Sequence, residues 1–144
     1  DGVDNDGDGE TDCFDVECGA TDATCACSPE DLYEPNNTAG TAAPIGVGTT
    51  TGLALFMQDE DHYSVTIPAG QTLTTTAVFT HATSDIDLRV AGVSDSIVSQ
   101  TTDDNETIVY VNSTGAPETV DIRVYLWAND VNWCGDYDLI VSLN

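Results

Sequence analysis

The chain has 144 residues and a formal charge of −24, from 26 acidic side chains against two basic ones, Arg89 and Arg123. That balance excludes nucleic acid and anionic membrane surfaces as partners, because both are bound through cationic side chains that replace counterions. Cations are the natural counterpart, and 144 residues suit one compact core with an appendage.

The first 28 residues hold few large apolar side chains, Val3, Phe14 and Val16 among them, too few to offset the entropy of ordering. They do carry a spaced set of acids. With Asp4 at position 1, Asp6 falls at 3, Asp8 at 5, Gly9 at 6, Glu10 at 7, Asp12 at 9 and Asp15 at 12. This is the EF-hand ligand spacing, with Asp where Glu usually closes the loop. Alternate residues of a tight loop turn their oxygens toward one hard cation, and Gly9 allows the bend. Calcium fits best: magnesium demands stricter octahedral geometry, and zinc prefers nitrogen and sulfur. No helical pattern flanks the loop, so a calcium-ordered irregular arm over residues 1–28 is expected. The spacing resembles the thrombospondin type-three repeat and the Asp- and Cys-rich segments of bacterial secreted proteins.

Five cysteines, Cys13, Cys18, Cys25, Cys27 and Cys134, point to disulfides and an oxidising, extracellular setting. A local Cys13–Cys18 clasp and a Cys27–Cys134 staple from arm to body are the favoured pairings. The fifth thiol is free, pairs between molecules, or had a partner upstream. Asp1 is expected to follow a processing boundary, and no apolar run is long enough for a membrane span.

The segment 28–37 carries two prolines and reads as a junction to a second unit, residues 29–144. There, YSVTI (63–67), TLTTTAVFT (72–80), DIDLRV (85–90), TIVYV (107–111), TVDIRVYLW (119–127) and DYDLIVSL (136–143) read as strands between turn-forming stretches. In 119–127, Val120, Ile122, Val124 and Leu126 alternate with polar or amphipathic residues, so one face is buried. Seven or eight short strands and no sustained 3.6-residue period predict an all-β fold, an antiparallel jelly-roll or Greek-key β-sandwich.

Several of these segments, EPNNTAGTAAPI (34–45), DEDHYSVTIPAGQTLTTT (59–76), SDIDLRV (84–90), DIRVY (121–125) and GDYDLIVSL (135–143), resemble the bacterial pre-peptidase C-terminal domain, which includes collagen-binding segments of secreted collagenases. The resemblance implies a β-sandwich without catalysis of its own. It also implies calcium held by Glu34, Asn36, Asn37 and Asp61, with Asp59 beside them. Leu32 stands where some calcium-binding members have an acid, so Glu30 or Asp31 has to substitute. An Asx turn at Asn36 and Asn37 is the plainer use of those residues.

Tyr125, Trp127 and Trp133 offer an aromatic surface for contact, or are covered by the 128–135 loop. His62 reads as a strand-edge residue. The acid pairs Asp85/Asp87 and Asp103/Asp104 read as solvated or metal-facing, because no apolar pocket is evident to raise one pKa. No G-x-S-x-G or assembled triad suggests catalysis. Asn-x-Ser/Thr occurs at Asn36, Asn105 and Asn112. The expected function is a secreted calcium-binding module of structure or adhesion, whose partners are calcium and other copies of itself or an extracellular polymer. The alternative is an accessory domain that targets a secreted hydrolase to its substrate.

Overall fold

The computed structural model of the chain describes residues 31–56, 59–127 and 134–144. Nine strands form among them: β1 (Ala43–Pro44), β2 (Gly48–Phe56), β3 (Asp61–Ile67), β4 (Thr72–Val78), β5 (Ile86–Ala91), β6 (Ser96–Ser99), β7 (Glu106–Val111), β8 (Glu118–Leu126) and β9 (Cys134–Leu143). They make a five-stranded sheet in the order β1-β3-β8-β5-β6 and a four-stranded sheet in the order β2-β9-β4-β7. The β1–β3 pairing is parallel, with Ala43 opposite Tyr63; the remaining ladders are antiparallel. The all-β sandwich expected from the alternating segments is therefore what the chain forms.

Period-two patterning explains the packing. Along β8, Val120, Ile122, Val124 and Leu126 are buried, while Thr119, Asp121, Arg123 and Tyr125 face outward. Leu73 and Ala77 of β4, Ile108 and Tyr110 of β7, and Tyr137, Leu139 and Val141 of β9 oppose them from the second sheet in one hydrophobic core. Glu106 and Glu118 lie in phase with these apolar residues and are buried too. Each is satisfied locally. Glu118 accepts from the Ser94 amide at 2.8 Å, the Ser94 hydroxyl at 2.7 Å and the Tyr110 hydroxyl at 2.8 Å. Glu106 accepts from the amide and hydroxyl of Thr101, each at 2.7 Å, and closely from the Ser99 hydroxyl.

Two sequence readings need correction here. His62 is buried within the sheet rather than at its edge: β8 lies beside it, and its Nδ1 is 2.9 Å from Asp121. Asp87 is 2 % exposed, not solvated. Burial pushes its carboxyl up to about 6, against the hydrogen bond from Gln100, which lowers it. The two outer surfaces also differ. Thr72, Thr74 and Thr76 of β4, Thr107, Val109 and Val111 of β7, and Ile140 and Ser142 of β9 present a largely β-branched patch without charge, bounded by Asp136 and Asp138 on the same face of β9. Arg89 and Arg123 stand directly opposite one another on the outer face of the five-stranded sheet. Arg123 is held by Glu60 and lies 4.1 Å over the Tyr125 ring, while Arg89 donates to Ser96 at 3.2 Å.

Candidate metal centre

The lead-in segment before β1 and the first residues of β3 meet at one corner of the sandwich. Its backbone is fixed by the His62 amide, which donates to the Asn36 carbonyl at 3.0 Å, and the Glu34–Pro35 peptide is cis. Within the segment, Glu34 accepts from the Asn36 amide at 3.0 Å and Asp31 accepts from the Tyr33 amide at 2.8 Å. Asp31 also accepts from the Ala54 amide of β2 at 3.3 Å, so it ties the segment to the four-stranded sheet. The Tyr33 ring packs edge-on against Tyr63 at 5.6 Å.

Asp61, 1 % exposed, opens β3 on the buried phase of the strand. Its Oδ2 accepts from the Tyr137 hydroxyl and, at 3.3 Å, from the Tyr63 hydroxyl. The two hydroxyls are themselves 2.7 Å apart, a bridge between the sheets. Burial pushes the Asp61 carboxyl up to about 8; the Tyr137 hydrogen bond lowers it, while the charges of Asp31 and Glu34 raise it further. Burial likewise pushes the Tyr63 and Tyr137 hydroxyls up, with the Asp61 charge adding to both. Asn36 is fully buried, and among the described residues neither Oδ1 nor Nδ2 of its side chain has a partner at hydrogen-bond geometry, though the amide lies close enough to the Tyr63 hydroxyl to act on it. A buried amide left unpaired costs about 1–3 kcal/mol, so such a side chain is a candidate ligand-facing group.

The corner thus gathers Asp31, Glu34, Asn36 and Asp61, of the residues expected to bind calcium or to substitute in that role. Asn37 and Asp59 pair with each other through a close hydrogen bond on the surface, not through an Asx turn. Among the described residues, no three His, Cys, Asp or Glu side chains stand together closely enough to hold a metal ion by themselves. Any site here needs the Asn36 amide oxygen as a donor beside the acids. An all-oxygen set of this kind suits a hard cation and not zinc. Tyr137, Tyr63 and Tyr33 were not anticipated as parts of the corner. Tyr137 lies 76 residues from Asp61 and is joined to it only by the packing of the two sheets.

The Asp4, Asp6, Asp8, Glu10, Asp12 and Asp15 loop lies outside the described residues, as do Cys13, Cys18, Cys25, Cys27, Trp133 and the proposed boundary at residue 28. Cys134, at the start of β9, is disulfide-bonded. Trp127 is 42 % exposed, and Tyr125 accepts from Gln100 at 2.8 Å on the same outer face. No helix among the described residues is long and apolar enough to cross a membrane.

No family model matches the chain, and no curated protein matches it. Solved structures do. The pre-peptidase C-terminal domain of a collagenase from Bacillus anthracis is similar over 80 % of this chain and 98 % of that one, at 18 % identity and a TM-score of 0.53. The periplasmic inhibitor of g-type lysozyme from Aeromonas hydrophila, PliG, is similar over 72 % of this chain and 96 % of that one, at 17 % identity and a TM-score of 0.51. At such identities the likeness is one of fold, and the chain has a fold like that of the pre-peptidase C-terminal domain.

Proposed function

We propose that this chain is a secreted, non-catalytic, calcium-binding module of extracellular structure or adhesion, in which an ion at the Asp61 corner clamps the lead-in segment to the sandwich. The observation that carries this reading is the buried Asn36 side chain, unpartnered among the described residues, beside a buried Asp61 with Asp31 and Glu34 nearby. Asp61, Asn36 and Glu34, with Asp31 completing the set, would hold the ion. It would supply the positive charge that no side chain at this corner provides. The acid-rich loop at residues 4–15 would hold further calcium, by its spacing.

The partner most consistent with the charge distribution is a second copy. Copies carrying −24 repel one another, so approach is easiest through the Thr and Val patch of β4 and β7, which lies away from Asp136 and Asp138 at the other end of the outer face of β9. Calcium titration by calorimetry tests the core of the proposal. A variant combining Asp6→Ala with Asp8→Ala should keep a site that is lost when Asp61→Asn is added. Equal binding by the two would falsify the corner assignment.

A second reading, an accessory domain that targets a secreted hydrolase to an insoluble substrate, is favoured by the outward Tyr125 and Trp127 and by the fold shared with the collagenase domain. Under that reading the protein co-sediments as a monomer with insoluble collagen or polysaccharide, and Trp127→Ala abolishes it.

A further inference from the structure

The fold treats the three Asn-x-Ser/Thr sites differently. Asn112 has no exposed surface; its Nδ2 donates to the carbonyls of Ile67, Pro68 and Ala116 at 2.9, 3.2 and 2.7 Å. Its Oδ1 accepts from the amide and hydroxyl of Thr114. Asn36, within the lead-in segment, is equally buried. A glycan on either nitrogen would have to displace packed protein, so a chain modified there cannot close its sandwich.

Asn105 differs in each respect. It is exposed, at the end of the turn that leads into β7, and adopts the left-handed backbone conformation (φ 66°) that Asn tolerates better than most residues. Its Oδ1 accepts from the Phe79 amide at 3.0 Å, while its Nδ2 makes no hydrogen bond among the described residues. Residues 101–104 before it are exposed as well. The middle residue of the motif, Glu106, is not proline, and Thr107 presents its hydroxyl on the surface, 2.9 Å from that of Thr76.

We propose that Asn105 is an N-glycan acceptor and that the folded molecule carries no glycan at Asn36 or Asn112. The donor is a lipid-diphosphate-linked oligosaccharide. Nδ2 attacks the anomeric carbon, the new C–N bond replaces the C–O bond to phosphate, and the lipid diphosphate departs. One amide proton passes to a base of the transferase. The product keeps its carbonyl, so Oδ1 still accepts from Phe79 and the turn is preserved. A glycan here would project from the rim where β6 passes into β7.

The test uses protein purified from the cells that naturally secrete it. Trypsin, cutting after Arg89 and Arg123, releases residues 90–123 as one peptide that holds both Asn105 and Asn112. Electron-transfer fragmentation should place a saccharide mass on Asn105. Thr107→Val, which retains the Asn105 cap, should lose that mass, and Thr107→Ser should restore it. A peptide that is unmodified throughout, or modified at Asn112 or on a hydroxyl, overturns the proposal. Calcium affinity at the Asp61 corner is measured separately and is unaffected by either result.

Discussion

Glu106 and Glu118 are buried as deeply as Asp61, yet they sit in opposite circumstances. Each glutamate collects hydroxyl and amide donors from the protein: Glu118 from Ser94 in the β5–β6 turn and from Tyr110 of β7, Glu106 from Ser99 of β6 and from Thr101 in the turn before its own strand. The protein completes them, and they fasten loops. Among the described residues, Asp61 receives two tyrosine hydroxyls on one oxygen and otherwise faces Asp31 and Glu34, with the Asn36 amide unpartnered. A buried carboxylate answered by protein donors is a rivet; one answered by more carboxylates is short of positive charge.

The contrast can be broken from the glutamate side first. Glu118→Ala strands the Tyr110 hydroxyl and the Ser94 amide and empties a packed position, so it should be the most destabilising of these changes. The expected sign is a clear fall in Tm. The same loss is expected with calcium or chelator in thermal unfolding. A loss that vanished in chelator would erase the distinction.

Removing calcium comes next. An ion at a hundredfold excess over its Kd adds about 2.7 kcal/mol, so chelation should lower Tm by roughly 10 °C. In the Asp6→Ala, Asp8→Ala background, Asp61→Asn should abolish that response, and differential scanning calorimetry distinguishes the outcomes.

Asp87 provides a smaller, pH-dependent test away from the corner. Its folded pKa of about 6 lies above the 3.8 of a free aspartate side chain, so the folded form binds the proton more tightly. The stability this contributes is fully present below pH 3.8 and is lost as pH rises through 6. Asp87→Asn should flatten this part of the Tm profile between pH 4 and 6 by a few degrees, and an unchanged slope would count against burial as the cause. Smallest in stability is Thr74→Glu with Val109→Glu on the outer Thr and Val patch of β4 and β7. Because both positions face outward, Tm should move by only a few degrees, while calcium-dependent sedimentation of larger species disappears.

Six strands were legible because their apolar residues alternate without interruption. β2 was missed because GTTTGLALF has no alternation in its first half, and its register shifts between Thr50 and Leu53. β6 spans only Ser96–Ser99, and β1 exists only by pairing with β3. The two buried glutamates left a readable trace: Glu106 and Glu118 both open a strand in phase with its apolar residues. The corner was half legible. Glu34, Asn36 and Asp61 follow from the resemblance, and Asp31 was named as a stand-in for the missing acid. The divergence of Asn37 and Asp59, and the arrival of Tyr137 from β9, depend on how the two sheets are brought together, which no local pattern encodes.

At the carboxyl end, Thr72 and Asn144 exchange reciprocal backbone hydrogen bonds at 2.7 and 2.9 Å, next to the β4–β9 ladder inside the four-stranded sheet. At the other end, β1 has two residues on the rim of its sheet. Under mechanical tension the module would be asymmetric. A pull on Asn144 must shear a full interior ladder, whereas a pull on the lead-in segment peels a two-residue strand, so unravelling would start from the amino-terminal side.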